Sequence, residues 1–323
     1  MQDSGETNPL TSELQQNFAD LAIHRFSHKA MATLFEVFCL HPDREYALQA
    51  ASAGFDLVDR LEQDLSRYIE NSDISRINIL KTGESTRVNG WTMECLRIAK
   101  LAYLETFEAF DVSLGSGLSE LELVPSEFSV RVNADAIRID LGGIGKGYAV
   151  DRVAELLLEW EINESLIHGG FSSVLALDPP SGSEGWPLTL SFPGGGGAFA
   201  LIQAKHRVFS ASGVAKGRHI TDPRTGRSNR LRRAAWVSGS RDVLASFRRK
   251  SVNVGADEAE VSESPAAVAE AFSTAFMILE TPLIESCCRR YPGLETWLLQ
   301  VNSDKEGEMP SVTHLPLGSG SAP

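Results

Sequence analysis

The feature that most constrains this chain is the stretch from Ala136 to Tyr148, where an alternating apolar run passes into four glycines and a lysine. Ala136-Ile-Arg-Ile-Asp-Leu141 alternates with period two and is predicted to be a strand. Gly142-Gly-Ile-Gly-Lys-Gly147 follows, and Tyr148 to Trp160 then carries Val150, Val153, Ala154, Leu157 and Leu158 at helical spacing. A helix that begins on such a turn offers backbone N–H groups and the Lys146 ammonium to an anionic or ribose oxygen. Two nucleotide-binding templates nevertheless fail when counted. Walker A requires glycine where Asp140 stands and a hydroxyl residue where Gly147 stands, and the Gly-x-Gly-x-x-Gly fingerprint fails because Gly143, Gly145 and Gly147 are spaced by two. A tight turn bearing a solvated lysine fits the local pattern equally well.

On either side of this element the chain reads as a mixture of strands and helices. Thr33 to Leu40 alternates as a strand, and Tyr46 to Tyr68 places Ala50, Phe55, Val58, Leu61 and Leu65 on one helical face. A second helix is predicted over Thr92 to Phe107 and a last one over Pro265 to Leu279. Ser165 to Leu177 reads as strand, glycine turn, strand. Further strands are expected at Leu188 to Phe192, Ala198 to Gln203, Arg207 to Ser210 and Ala234 to Ser238, with a hairpin loop at Pro193-Gly-Gly-Gly-Gly197. Strands that follow one another directly favour an α+β fold over a doubly wound parallel sheet. Residues 1–24 read as a mobile lead-in, residues 25–301 as one domain, and residues 302–323, rich in Gly, Ser, Pro and charge, as a disordered tail.

Composition narrows the functional classes. Of 323 residues, 42% are hydrophobic and 23% charged, an ordinary globular balance. The formal charge of -13 argues against nucleic acid or an anionic membrane as the main partner. No stretch has the length and apolarity of a membrane span, and the polar segment from Met1 to Asn17 has no signal-peptide pattern, so a cytoplasmic location is expected. Cys39, Cys95, Cys287 and Cys288 show no C-x-x-C spacing, which excludes the common zinc patterns, and Cys39 reads as a buried structural thiol.

The turn and its helix, Asp140-Leu-Gly-Gly-Ile-Gly-Lys-Gly-Tyr-Ala-Val-Asp151, resemble the central motif of the FAD:protein FMN transferase (ApbE) family. Other segments resemble that family's motifs in the same order. Met31-Ala-Thr33 is similar to its Met-Gly-Thr, and Leu65 to Asn78 to its Ser-x-Tyr…Ser-x-Ile-Ser-x-Leu-Asn segment. Ala109-Phe-Asp-Val-Ser113 resembles its Ala-Phe-Asp block, and Gly169-Gly170 its glycine pair. Ser212-Gly213 with His219-Ile-Thr-Asp-Pro-Arg-Thr-Gly226 resembles its Ser-Gly and His-x-x-Asp-Pro-x-Thr-Gly elements. Ala269-Glu-Ala-Phe-Ser-Thr-Ala275 resembles its Asp-Ala-x-x-Thr-Ala metal motif. The likeness spans roughly residues 30 to 280.

The resemblance implies an ApbE-like (T-fold-like) α+β fold, with mixed, largely antiparallel sheets packed with helices and a cleft between two halves. It implies a magnesium-dependent enzyme that takes FAD as substrate and joins its FMN half to a Thr or Ser hydroxyl of an acceptor protein, releasing AMP. His219 is then the expected general base, since a neutral imidazole can take the hydroxyl's proton near pH 7. FAD contacts are implied for Met31, Tyr68, Ala109, Phe110, Asp111, Asp140, Lys146 and Ile220. On a helix Glu270, Ser273 and Thr274 fall at i, i+3 and i+4, so their oxygens can face one point, and the resemblance makes them the metal site with a main-chain carbonyl near Gly143. Without it, Ser and Thr hydroxyls bonded back to their own helical turn account for the pattern. Tyr68 could equally be a tyrosine closing the long helix, and Asp111 a helix cap.

Three departures from the family pattern stand out. Glu270 replaces an aspartate, Phe171 follows the glycine pair where an acidic residue is usual, and only five residues separate Gly213 from His219. They keep two alternatives open: hydrolysis of FAD to FMN and AMP, and flavin binding without catalysis.

Overall fold

The structure is a computed structural model that describes residues 23–193, 197–214, 220–229, 231–245, 263–300 and 311–315. From the start of the chain its elements are β1 (Ile23–Ala30), β2 (Thr33–Leu40), α1 (Arg44–Leu65), α2 (Asp73–Ile77), β3 (Ser85–Arg87) and α3 (Gly90–Glu105). The middle holds β4 (Leu121–Val124), β5 (Ser129–Val132), α4 (Gly145–Glu159), β6 (Ser165–Gly169), β7 (Ser173–Ala176), β8 (Trp186–Ser191) and β9 (Ala198–Ala204). Then follow β10 (Arg207–Gly213), β11 (Thr221–Asp222), β12 (Arg227–Ser228), β13 (Arg232–Ser240), α5 (Arg241–Ala245), α6 (Pro265–Phe276), α7 (Thr281–Arg290), β14 (Glu295–Gln300) and β15 (Val312–Leu315).

One eight-stranded sheet, in the order β1-β2-β6-β7-β10-β13-β14-β15, organises the rest, and its ladders are antiparallel throughout. Period-two alternation sends Phe35, Val37 and Cys39 of β2 into a core shared with α1, α3, α4 and α6, and Phe38 into a second core beneath the β8–β9 hairpin. Ile167 and Leu166, Leu175 and Ala176, and Val237 and Trp236 divide between the two cores in the same way. Every residue of β6 and β7 is buried because both faces of the sheet are covered there. The expected α+β architecture of antiparallel sheets and helices is therefore the one observed.

Local chemistry explains where elements stop. Asp43 caps α1 by accepting from the Glu45 and Tyr46 amides, and the helix ends at Leu65, three residues before the predicted end. Ser66 is extended, and the Ser72 and Ser75 hydroxyls take the carbonyls of Ser66 (2.6 Å) and Ile69 (2.7 Å), which turns the chain out of the helix. Arg67 and Tyr68 are left free of the helix as a result. The predicted strand Ala136–Leu141 joins no ladder, and Ala136 itself sits in a turn with φ 62°. The run's amides go instead to irregular partners: Arg138 to Ser116 Oγ (2.8 Å), Ile139 to Asn78 Oδ1 (2.6 Å) and Asp140 to the Val112 carbonyl (2.7 Å).

At the two ends the elements extend past the expected boundaries. β1 begins at Ile23, and Val312–Leu315, expected to be disordered, pairs with β14 as an edge strand. His314 stacks on Trp297 at 4.7 Å, so a short apolar and aromatic segment inside a polar tail suffices to complete the sheet. The other residues of the expected lead-in and tail lie outside the described residues. All four cysteines are free and buried, and burial pushes the Cys39 thiol up to about 11, as a structural thiol requires.

His168 on β6 is 1% exposed, and burial, with Arg25 nearby, pushes its imidazole down to about 4. The ring is neutral in the fold and protonates in the unfolded chain below about 6.5, so its contribution is intact above that pH and lost as pH falls towards 4. About 3 kcal/mol of stability is expected to disappear over that interval, at roughly 1.4 kcal/mol per unit. Urea unfolding at stepped pH should show the slope, and His168→Gln should flatten it; an unchanged slope in the variant would exclude His168 as its origin.

Candidate active site

A cleft of about 590 Å³ opens where the β1–β2 turn, the residues after α1, the glycine turn before α4, the β6–β7 turn and the end of β10 converge. Met31, Tyr68, Asp140 and Lys146 all line it, although they come from three separate segments. The two-residue β1–β2 turn needs positive φ at both central positions, and Met31 (49°) and Ala32 (55°) adopt it without glycine or asparagine. That conformation costs roughly 1 kcal/mol per residue and is held by the full ladder on either side. It presents Met31 at the cleft.

The N-terminus of α4 forms the floor. Its N-cap position, Ile144, supplies no side-chain acceptor. Glu270, reaching over from α6, takes that role: Oε2 accepts from the Gly147 amide at 2.6 Å and Oε1 pairs with the Lys146 ammonium. Lys146 also donates to the Gly142 carbonyl at 3.3 Å. The arrangement is reciprocal. Ser264 offers no side-chain cap to α6, and Asp151 of α4 accepts from the Ala266 and Ala267 amides, both at 2.9 Å. Burial pushes the Asp151 carboxyl up to about 7, against the opposing pull of Arg152 and the two amides. Gly147 permits this contact, since a Cβ there would lie 2.4 Å from the Ala266 carbonyl oxygen.

Of the three α6 residues expected to face one metal, Ser273 and Thr274 share the Ser212 hydroxyl, while the Glu270 carboxylate is engaged by α4. Ser273 is fully buried and turned towards β10, where its hydroxyl meets Ser212 (2.9 Å) and Ser210 (3.1 Å) and donates to the Glu270 carbonyl (3.0 Å). Thr274 is half-buried, with Oγ1 3.2 Å from Ser212 Oγ. It also sits beside Gly143, where a Cβ would be 3.7 Å from Thr274 Oγ1 and 3.2 Å from Phe110. Phe110, Gly143 and Thr274 thus meet, although 164 residues separate the first from the last. No group of three or more His, Cys, Asp or Glu side chains suited to a metal occurs among the described residues. The donors are one carboxylate and neutral oxygens, a set that fits a hard cation bound largely through substrate phosphates. Glu270, Thr274 and the Gly143 segment fit it, and the Ser273 hydroxyl beside them already meets Ser210, Ser212 and the Glu270 carbonyl.

Other expected residues hold the walls. Asp111 accepts from the Ser113 amide and hydroxyl, both at 2.7 Å, and from the Gly115 amide at 2.9 Å, so it organises its own loop and caps no helix. Ala109 is buried beside it, and Ile220 packs half-buried against the core with its carbonyl accepting from Asn229. The Asp222–Gly226 turn closes through the Asp222 carbonyl, and Arg224 on the Asp222 carboxylate holds that group below the usual carboxylate range. The turn presses on the Asp111 loop, because a Cβ on Gly115 would come within 2.6 Å of the Pro223 carbonyl. His219 lies outside the described residues.

Two participants lie within the family-like segments, but the sequence assigns them no role. Arg67 bridges from its Nε to Asp140 Oδ2 (3.2 Å), donates to the Tyr68 hydroxyl (2.6 Å) and sits 4.7 Å over the Tyr68 ring. Asp140 Oδ1 accepts from Gly142 (2.9 Å), so this pair ties the glycine turn to the residues leaving α1. Asp151 is the other, an acid on an otherwise apolar helix face whose partners are 115 residues away.

Solved structures with this fold include the flavin transferase ApbE from Vibrio cholerae, with a TM-score of 0.72 and 16% identity over 91% of this chain and 97% of that one. The flavinyl transferase ApbE of Pseudomonas stutzeri, in its apo form, gives a TM-score of 0.71 and 19% identity over 91% and 94%. The ApbE protein of Thermotoga maritima gives 0.71 and 19% over 90% and 96%. No protein among curated sequences matches the chain. The model of the ApbE family matches residues 31–121 and 116–259, and this chain belongs to the ApbE family.

Proposed function

We propose that the chain is a flavin transferase that moves the FMN half of FAD onto a Thr or Ser hydroxyl of an acceptor protein. The observation that carries this reading is the meeting, in a chain of the ApbE family, of the Lys146 ammonium and the α4 N-terminus in one cleft, with Thr274 beside Gly143 and bonded to the cleft residue Ser212. Such a floor suits a diphosphate, with N–H dipoles and a cation against its charge. Magnesium, held by Glu270, Thr274 and the Gly143 carbonyl, would neutralise charge developing on the phosphate oxygens.

The acceptor oxygen attacks the FMN-side phosphorus while the bond from that phosphorus to the bridging oxygen breaks. AMP leaves with the bridging oxygen, and the hydroxyl's proton passes to His219 as general base. Met31 and Tyr68 border the flavin dinucleotide, and Asp140, held by Arg67 and the Gly142 amide, presents an acceptor to a ribose or adenine donor. Phe110 backs Gly143, and the Asp111 loop backs the turn that follows His219 and Ile220. Among the described residues no helix is long and apolar enough to cross a membrane.

The test is to incubate the protein with FAD, magnesium and an acceptor domain of an ApbE-family substrate, measuring acceptor mass and released AMP. Stoichiometric AMP and an acceptor heavier by FMN are expected. AMP with an unmodified acceptor would replace transfer by hydrolysis, and FAD binding with neither product would remove the enzymatic reading.

A further inference from the structure

The β6–β7 turn holds an aromatic side chain where the chain departs from its family's pattern. Gly170, Phe171 and Ser172 join the closing pair Gly169 and Ser173. This loop is pinned on both sides: the Gly170 amide donates to the Leu34 carbonyl of β2 at 2.9 Å, and the Ser172 carbonyl accepts from Ala211 of β10 at 2.7 Å. Gly170 has φ +68°, and a Cβ there would come within 2.4 Å of Thr33 Oγ1, so the turn lies directly against the Met31–Thr33 hairpin. Despite this fixed backbone the Phe171 ring is 75% exposed, and it lines the cleft.

A rigidly presented apolar ring in water loses the free energy its burial would bring, and the compensating partner is a surface that covers it. The cleft has a second such ring. Tyr68 is 81% exposed, but one of its faces is taken by the Arg67 guanidinium at 4.7 Å. FAD carries two flat heteroaromatic systems joined through a diphosphate, and the cation-bearing floor lies in the same cleft as both side chains. We propose that Phe171 stacks on one of the two ring systems of the dinucleotide, as a binding and specificity residue that replaces the polar contact of an acidic side chain. This rests on the flavin transferase reading and extends it to a residue outside the family's motif.

The test titrates wild type, Phe171→Ala, Phe171→Leu and Phe171→Tyr with FAD, FMN and ADP separately, by calorimetry, in magnesium. Loss of a ring–ring stack weakens binding about tenfold or more on alanine substitution. Phe171→Ala is therefore expected to raise the FAD dissociation constant about tenfold and to weaken either FMN or ADP by a similar factor while sparing the other, which identifies the ring. Phe171→Tyr should bind as wild type does, and Phe171→Leu should follow alanine. With a side chain this exposed, the unfolding temperature should not move. Wild-type FAD affinity in Phe171→Ala, or a change confined to the acceptor's KM, would overturn the proposal. Wild-type protein that binds neither FAD, FMN nor ADP would overturn the flavin reading itself and this inference with it.

Discussion

Replacing Asp151 with leucine is expected to lower the unfolding free energy by about 3–5 kcal/mol, one of the largest losses from any single side chain of this protein. The carboxylate is 2% exposed and accepts from two consecutive amides at the start of α6, both at 2.9 Å. Leucine fills much the same volume, so little of the loss is a cavity. The loss comes from two buried N–H groups deprived of acceptors, at about 1–3 kcal/mol each, and from a buried Arg152 with one carboxylate fewer beside it. Asp151→Asn keeps one acceptor oxygen and should lose about half as much. Urea unfolding reads both. A leucine variant within 0.5 kcal/mol of wild type would show that the α4–α6 junction does not depend on this cap.

A functional consequence follows from which helix is capped. α6 carries Glu270 and Thr274, and α4 opens with Lys146 and Gly147. Asp151 and Glu270 each cross to the other helix, so the phosphate-facing floor is assembled by the same contacts that hold the two helices together. FAD affinity in Asp151→Asn should therefore fall along with stability, even though Asp151 touches no part of the cleft.

How far the sequence anticipates this arrangement depends on whether the controlling contact is local. β2 and α1 were legible because Phe35, Val37 and Cys39, or Ala50, Val58 and Leu61, repeat at the period of the face they bury. The Ala136–Leu141 run has the same period, yet it forms no ladder, because Asn78, Ser116 and Val112 supply its partners from distant loops. The i, i+3, i+4 spacing of Glu270, Ser273 and Thr274 correctly set them on one helix. It could not show that a sheet strand bearing Ser210 and Ser212 would engage the Ser273 and Thr274 hydroxyls while Lys146 and Gly147 engage the Glu270 carboxylate from the opposite neighbour. Asp151 looks like an interruption of an apolar face, and only the approach of α6 gives it a purpose. The collinear motifs carried the family because they sample many such long-range constraints at once, including ones that no local rule expresses.

The Lys146–Glu270 pair is where the departure from the family's aspartate has its sharpest consequence. Here one glutamate carboxylate holds the Gly147 amide and the Lys146 ammonium together, from a side chain only 4% exposed. Such a buried pair binds each partner to the other: removal of Lys146 leaves Glu270 charged and underpaired, and removal of Glu270 frees Lys146 and uncaps α4. Lys146→Met is expected to lower kcat/KM for flavin transfer by about 10²–10³, the range for losing one preorganised charge at a phosphoryl group. Glu270→Gln should keep the cap, because an amide oxygen still accepts from Gly147, but lose the lysine and raise the magnesium concentration needed for half-maximal rate. If the two side chains act as one unit, the double variant should be little worse than Lys146→Met alone, and the cycle should return a coupling of about 1–3 kcal/mol. Losses that simply multiply would mean that Lys146 meets the phosphates independently of Glu270, and the pair would then be a structural clasp with no share in the transfer step.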